Sequence, residues 1–98
     1  MYEDSMQPAM RQKIFSMNLD VETVSLYLLC CALADAGAAI TIRALEDRWS
    51  GTRAELDREL QRLEERNIIR KDEAAPPEVP GYRIVDDRKW HWNEDKSQ

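Results

Sequence analysis

Residues 45–71 read LEDRWSGTRAELDRELQRLEERNIIRK, and this stretch limits the possible folds more than any other. Leu45 and Trp49 lie one helical turn apart and share a face. After Ser50-Gly51, Leu56, Leu60 and Leu63 recur at spacings of four and three, an apolar stripe with charge on the other sides. Thr52 and Glu55 are spaced as a capping box, in which the hydroxyl accepts from an early backbone NH and the carboxylate reaches back to the cap's own NH. Asn67 follows the last periodic residue and tolerates the left-handed conformation that ends a helix. Ile68 and Ile69 then begin a strand. The pattern predicts a short helix, a tight turn, a longer helix over 53–66, and a hairpin.

The rest of the chain completes this unit. Asp20 is placed to cap a helix running through Val24, Tyr27, Leu28, Cys31 and Ala34 and ending near Gly37. Leu26, Leu29, Cys30 and Leu33 make that helix apolar on more than one face, as expected of a central helix or one that also meets a second chain. Ala38-Ala39-Ile40 fits a short first strand, and Thr41 caps the next helix. Prolines 76, 77 and 80 exclude ladder bonding and prescribe a loop over 72–81. Tyr82-Arg83-Ile84-Val85 alternates as the returning strand. The expected fold is α+β and mostly helical, a three-helix core plus a small antiparallel hairpin wing over residues 20–86.

At either end the reading is more open. Residues 1–19 form an N-terminal arm in which Pro8 could open a helix through Met10, Ile14 and Phe15, with Arg11 and Lys13 outside. Such an arm pairs two subunits or frays. Residues 87–98 carry Trp90-His91-Trp92 and a polar tail. The two indoles share one side of an extended segment, able to add a strand, cover an open core edge or meet a partner.

The run Leu-x-x-Arg-Trp-Ser-Gly-Thr-Arg, followed by Leu56, Leu60, Leu63 and the closing LEERNIIRK, resembles the core of bacterial winged-helix regulators of the MarR type. The likeness is ungapped over residues 45–71. It departs at Asn67, where that family has Gly, at Glu46 and Gly51, and in the number of acids on the second helix. The resemblance implies a winged helix-turn-helix, transcription regulation through double-stranded DNA, and a homodimer.

Composition narrows the chemistry. The formal net charge of −5 supplies no general attraction to nucleic acid or anionic lipid. The apolar run over 26–34 stops at Asp35, about half a membrane span, and Glu3 and Asp4 stand where a signal peptide would be basic. Cys30 and Cys31 are adjacent in a helical run, where an unstrained disulfide is not available, and read as buried thiols of a reducing, cytoplasmic protein. The single histidine, His91, sits between tryptophans without a paired nucleophile, and no cluster has metal-ligand spacing. Neither a Gly-rich phosphate loop nor a catalytic constellation is present, so no enzyme activity and no cofactor are expected.

In helix-turn-helix geometry the second helix enters the major groove with its N-terminal residues at base edges. Those residues are Thr52, Arg53, Ala54, Asp57, Arg58 and Gln61. Arg53 and Arg58 have the fork that reads guanine, and Gln61 the amide that reads adenine. Arg43 and Arg48 on the first helix, with Arg70, Lys71 and Arg83 on the wing stems, are candidates for phosphate.

Against this stand the acids. Over 53–66, Arg53, Arg58, Arg62 and Arg66 face Glu55, Asp57, Glu59, Glu64 and Glu65, a net of −1. Arg53 with Asp57, Glu55 with Arg58 and Glu59 with Arg62 are spaced to pair on the helix surface. Asp72, Glu73 and Glu78 acidify the wing. Two readings follow: a DNA-binding regulator, or a winged helix that joins proteins through its acidic wing and Trp90/Trp92.

Overall fold

The structure is a computed structural model that describes residues 10–91. Pro8, Trp92 and the polar tail, named above, lie outside the described residues. Three helices and a three-stranded antiparallel sheet form an α+β winged-helix arrangement: α1 (Val21–Asp35), β1 (Ile40–Thr41), α2 (Ile42–Arg48), α3 (Arg53–Glu65), β2 (Ile69–Lys71) and β3 (Gly81–Ile84). The sheet order is β1-β3-β2, with Ile40 opposite Tyr82 and Ile69 opposite Ile84. The loop over 72–80 joins β2 to β3 and is the wing. Among the described residues, no helix is long and apolar enough to cross a membrane.

Local chemistry sets each boundary. Thr41 Oγ1 accepts from Ala44 N at 3.1 Å and opens α2. At α3 the capping box forms in both directions: Glu55 N donates to Thr52 Oγ1 at 3.1 Å, and Thr52 N donates to Glu55 Oε1 at 2.9 Å. Two helices close in the same way. Gly37, at φ 76°, lets its own NH reach Ala34 O and the Ala38 NH reach Leu33 O. Asn67, at φ 58°, does the same for α3 with Glu64 O and Leu63 O. Both leave otherwise orphaned carbonyls bonded.

The apolar stripe of α3 is fully used: Leu56, Leu60 and Leu63 are buried against α1, alongside Leu45 of α2 and Ile40 and Ile69 of the sheet. The face of α1 differs from the expected one. Its buried residues are Thr23, Leu26, Tyr27, Cys30, Cys31 and Leu33, whereas Leu28 and Ala34 are exposed and Val24 is half-buried. A helix apolar nearly all round carries little information about its orientation, and packing on α3 decides it.

Asp20 precedes α1 but its side chain makes no cap hydrogen bond. Its Oδ2 instead accepts from Arg62 Nη1 of α3 at 2.6 Å. A charged fork outcompetes an exposed helix terminus that water can satisfy.

The segments flanking the winged helix belong to its core. Ahead of α1, Gln12–Ser16 is a 3-10 helix rather than an α-helix. It buries Ile14, with Met17 just after it, and leaves Phe15 outside. Past β3, Trp90 is only 4% exposed, its Nε1 donates to Val85 O at 2.8 Å, and its ring meets Tyr27 edge-on at 5.4 Å. Trp90 therefore covers the core edge and is not presented to a partner.

Candidate nucleic-acid interface

α3 is the exposed rim of the fold, and its surface divides into three strips. The side toward α1 carries Glu55, Glu59 and Arg62. Glu55 is held in the capping box, and Glu59, expected on the surface, is only 4% exposed and accepts from Thr23 Oγ1 at 2.6 Å. Arg62 is bound to Asp20. The expected Glu55–Arg58 and Glu59–Arg62 pairs accordingly make no direct contact, because Glu55, Glu59 and Arg62 are each taken by another group.

The outward strip carries Ala54, Arg58, Gln61 and Glu65, all exposed. The nearest carboxylate contact of Arg58 is Glu59 Oε2 at 3.8 Å, a loose one. Arg58 and Gln61 are thus exposed side chains on either side of the midpoint of α3.

On the third side, toward α2 and the sheet, Arg53 is tightly engaged. Its Nε donates to Asp57 Oδ1 at 3.0 Å and its Nη1 to Glu46 Oε2 of α2 at 3.1 Å. The hydrogen bond to Asp57, then that to Glu46, raises its already high pKa further. The expected Arg53–Asp57 pair is present, and Glu46 is a third member that helical spacing alone does not reveal. Arg43 and Arg48 are exposed on α2.

Beside the C-terminal half of α3 the wing stem forms a hollow of about 700 Å³. Arg70, Lys71, Arg83 and Lys89 line it, together with the acids Glu64, Asp72 and Glu73. Arg70 and Arg83 are direct cross-strand partners in the β2–β3 ladder. Like charges placed opposite each other destabilise a sheet, and Arg70 Nη1 donates to the neutral Asn67 Oδ1 at 3.2 Å. Lys89 joins this group from the 3-10 helix Asp87–Lys89, which is fixed where Asn67 Nδ2 donates to Lys89 O at 3.0 Å. Nothing in the local sequence around Lys89 signals that position, since it depends on where a later turn docks.

Two apolar features lie elsewhere. A hollow between β1 and the wing is lined by Ala39, Ile40, Pro76, Val79 and Tyr82. A patch at the start of α1 exposes Phe15 (60%), Val21 (76%) and Leu28 (39%).

The reactive side chains are quiet. Burial first of all pushes the Cys30 thiol up to about 12 and the Cys31 thiol up to about 11. Burial likewise raises Tyr27, whose hydroxyl oxygen accepts from Arg11 N at 2.9 Å. His91 is exposed and its backbone NH donates to Arg66 O at 2.7 Å. Among the described residues, no group of three or more His, Cys, Asp or Glu side chains is placed to hold a metal ion. Comparison with protein-family models, curated proteins and solved structures finds no match to this chain.

Proposed function

We propose that the chain is a small winged-helix DNA-binding regulator that sets α3 in the major groove and its wing stem against the phosphate backbone. The observation that carries this reading is the pairing of Arg70 with Arg83 across the β2–β3 ladder, beside Lys71 and Lys89 in one hollow. Two arginines paired across a ladder give up stability unless an anion offsets them, and beyond the carboxylates of Glu64, Asp72 and Glu73 in the same hollow a phosphate would add to that offset. The backbone of a duplex supplies such an anion at regular intervals, and arginine holds phosphate through two parallel bonds. Arg58 and Gln61, on the outward strip of α3, have the chemistry to read guanine and adenine edges. Arg43 and Arg48, exposed on α2, are the candidates for the flanking backbone.

The exposed patch of Phe15, Val21 and Leu28 supports a homodimer, since large apolar side chains gathered at one surface mark an association site. A two-fold pair would offer two recognition helices to two half-sites.

Fluorescence anisotropy of a labelled mixed-sequence duplex, titrated at about 50 and about 200 mM salt, tests the reading. If Arg70, Lys71, Arg83 and Lys89 each take one phosphate, log K should fall with log salt at a slope of about −3.6 per subunit. That corresponds to an affinity loss on the order of 150-fold between those salt concentrations. Absence of binding at the lower salt overturns it in favour of a protein-interaction module, for which the apolar hollow between β1 and the wing is the surface to probe.

A further inference from the structure

At the N-terminus of α3 one guanidinium is shared between two carboxylates. Arg53, the first residue of the helix, donates Nε to Asp57 and Nη1 to Glu46, at 3.0 and 3.1 Å. Asp57 lies one turn further along α3, and Glu46 comes from α2, so the trio bridges the helix-turn-helix. All three side chains are about half exposed, at 53%, 54% and 41%. They carry a net charge of −1 at the end of α3 that would approach base edges.

We infer that Glu46 and Asp57 hold Arg53 off non-specific DNA, releasing it only to an acceptor able to replace both carboxylates. The inference rests on the DNA-binding reading and adds to it a determinant of specificity. A phosphate also offers two oxygens, but it is anionic and is repelled by the net charge of −1 on the trio, whereas a base edge is neutral. Guanine offers O6 and N7 side by side, a two-point acceptor matched to the guanidinium fork. Arg53 therefore contributes little on a random sequence and more where a guanine lies beneath it. The arrangement suits a chain of net charge −5, which has little general attraction to DNA. Exposed ion pairs of this kind are weak enough for a good acceptor to displace.

The test compares three full-length proteins on a labelled mixed-sequence duplex across a salt series: wild type, E46Q/D57N and R53A/E46Q/D57N. Each substituted side chain is exposed, and circular dichroism melting confirms that all three fold. The released variant, E46Q/D57N, should bind about three- to tenfold tighter than wild type, with a salt slope steeper by about 0.9, one additional phosphate contact. The triple variant should return to within about twofold of wild type with the wild-type slope. A gain that persists without Arg53 overturns the inference, because loss of negative charge alone would then explain it. Equal affinities for wild type and E46Q/D57N, both binding, also overturn it while leaving the DNA-binding reading intact. Failure of all three proteins to bind at low salt overturns both.

Discussion

The Thr23 hydroxyl donates to Glu59 Oε1 at 2.6 Å, and the two residues, on α1 and α3, are 1% and 4% exposed. This is a polar bond inside an otherwise apolar helix interface, and its contribution depends on both partners being present. Thr23→Val keeps the shape and removes the donor, leaving a buried carboxyl group without that partner. The cost should be about 1–3 kcal/mol, read from urea unfolding. Thr23→Val with Glu59→Met replaces both groups by apolar ones and should recover most of the loss. A double variant no more stable than the single one would show that the bond does not govern the site.

Leu60, 2% exposed at the centre of the α3 stripe, tests the core. Leu60→Ala should lower unfolding free energy by about 2–5 kcal/mol. A loss under about 1 kcal/mol would mean that α3 does not pack on α1 as described.

Arg83 separates stability from binding. Arg83→Thr removes one of two like charges facing across the ladder and keeps a good strand former, so stability should rise by about 0.2–1 kcal/mol. The same change should weaken DNA binding and flatten its salt slope by about 0.9. Loss of stability together with binding would make Arg83 a structural residue of the sheet.

The thiols give a pH dependence of defined sign. Burial raises Cys30 and Cys31 from their ordinary value of 9.0 to about 12 and about 11. Between pH 9 and those values the unfolded chain has lost protons that the folded one retains. The thiols' contribution to stability is therefore complete below about pH 9 and is lost as pH rises through 11 and 12. The thiols should leave the melting temperature unchanged by pH below 9 and lower it above pH 9 in the parent chain, and that fall should be smaller in Cys30→Ser/Cys31→Ser. In the native state both thiols should also resist iodoacetamide at pH 8, reacting only when denaturant is added.

The apolar patch at the start of α1 predicts association. Val21→Glu, at a residue 76% exposed, should leave the melting temperature within about 2 °C of the parent while shifting a dimer to monomer in sedimentation velocity. A parent chain that sediments as a monomer at every concentration would remove the homodimer from the proposal.

What could be read along the chain follows the range of the forces involved. The capping box of Thr52 and Glu55, the left-handed Asn67, the Thr41 cap and the leucine stripe are settled within a few residues, and each is found in the structure. Glu59 looked like one more surface acid because its partner, Thr23, is 36 residues away. Asp20 does stand at the N-cap of α1, but its side chain is taken by Arg62, 42 residues away. The orientation of α1 was hidden by its abundance of apolar residues, and the cluster containing Lys89 by the docking of a late turn. At the candidate interface, residue types were legible, whereas their engagement was not: Arg53 is bound from two sides, and Arg58 is left nearly open.

The docking of Trp90 on Tyr27 has a further consequence when the chain is considered as it is made. Nearby, Lys13 Nζ donates to Asp87 O at 2.7 Å across a separation of 74 residues. The segment around Ile14 and the face of α1 must therefore wait until residues 87–90 have been made before they are fully covered. While α3 and the wing are being synthesised, the Tyr27 ring lacks its aromatic neighbour and remains open to water or to a chaperone. A nascent chain stalled before Trp90 leaves the ribosome tunnel should be protease-sensitive, and docking of Trp90 is the event that closes this face of α1.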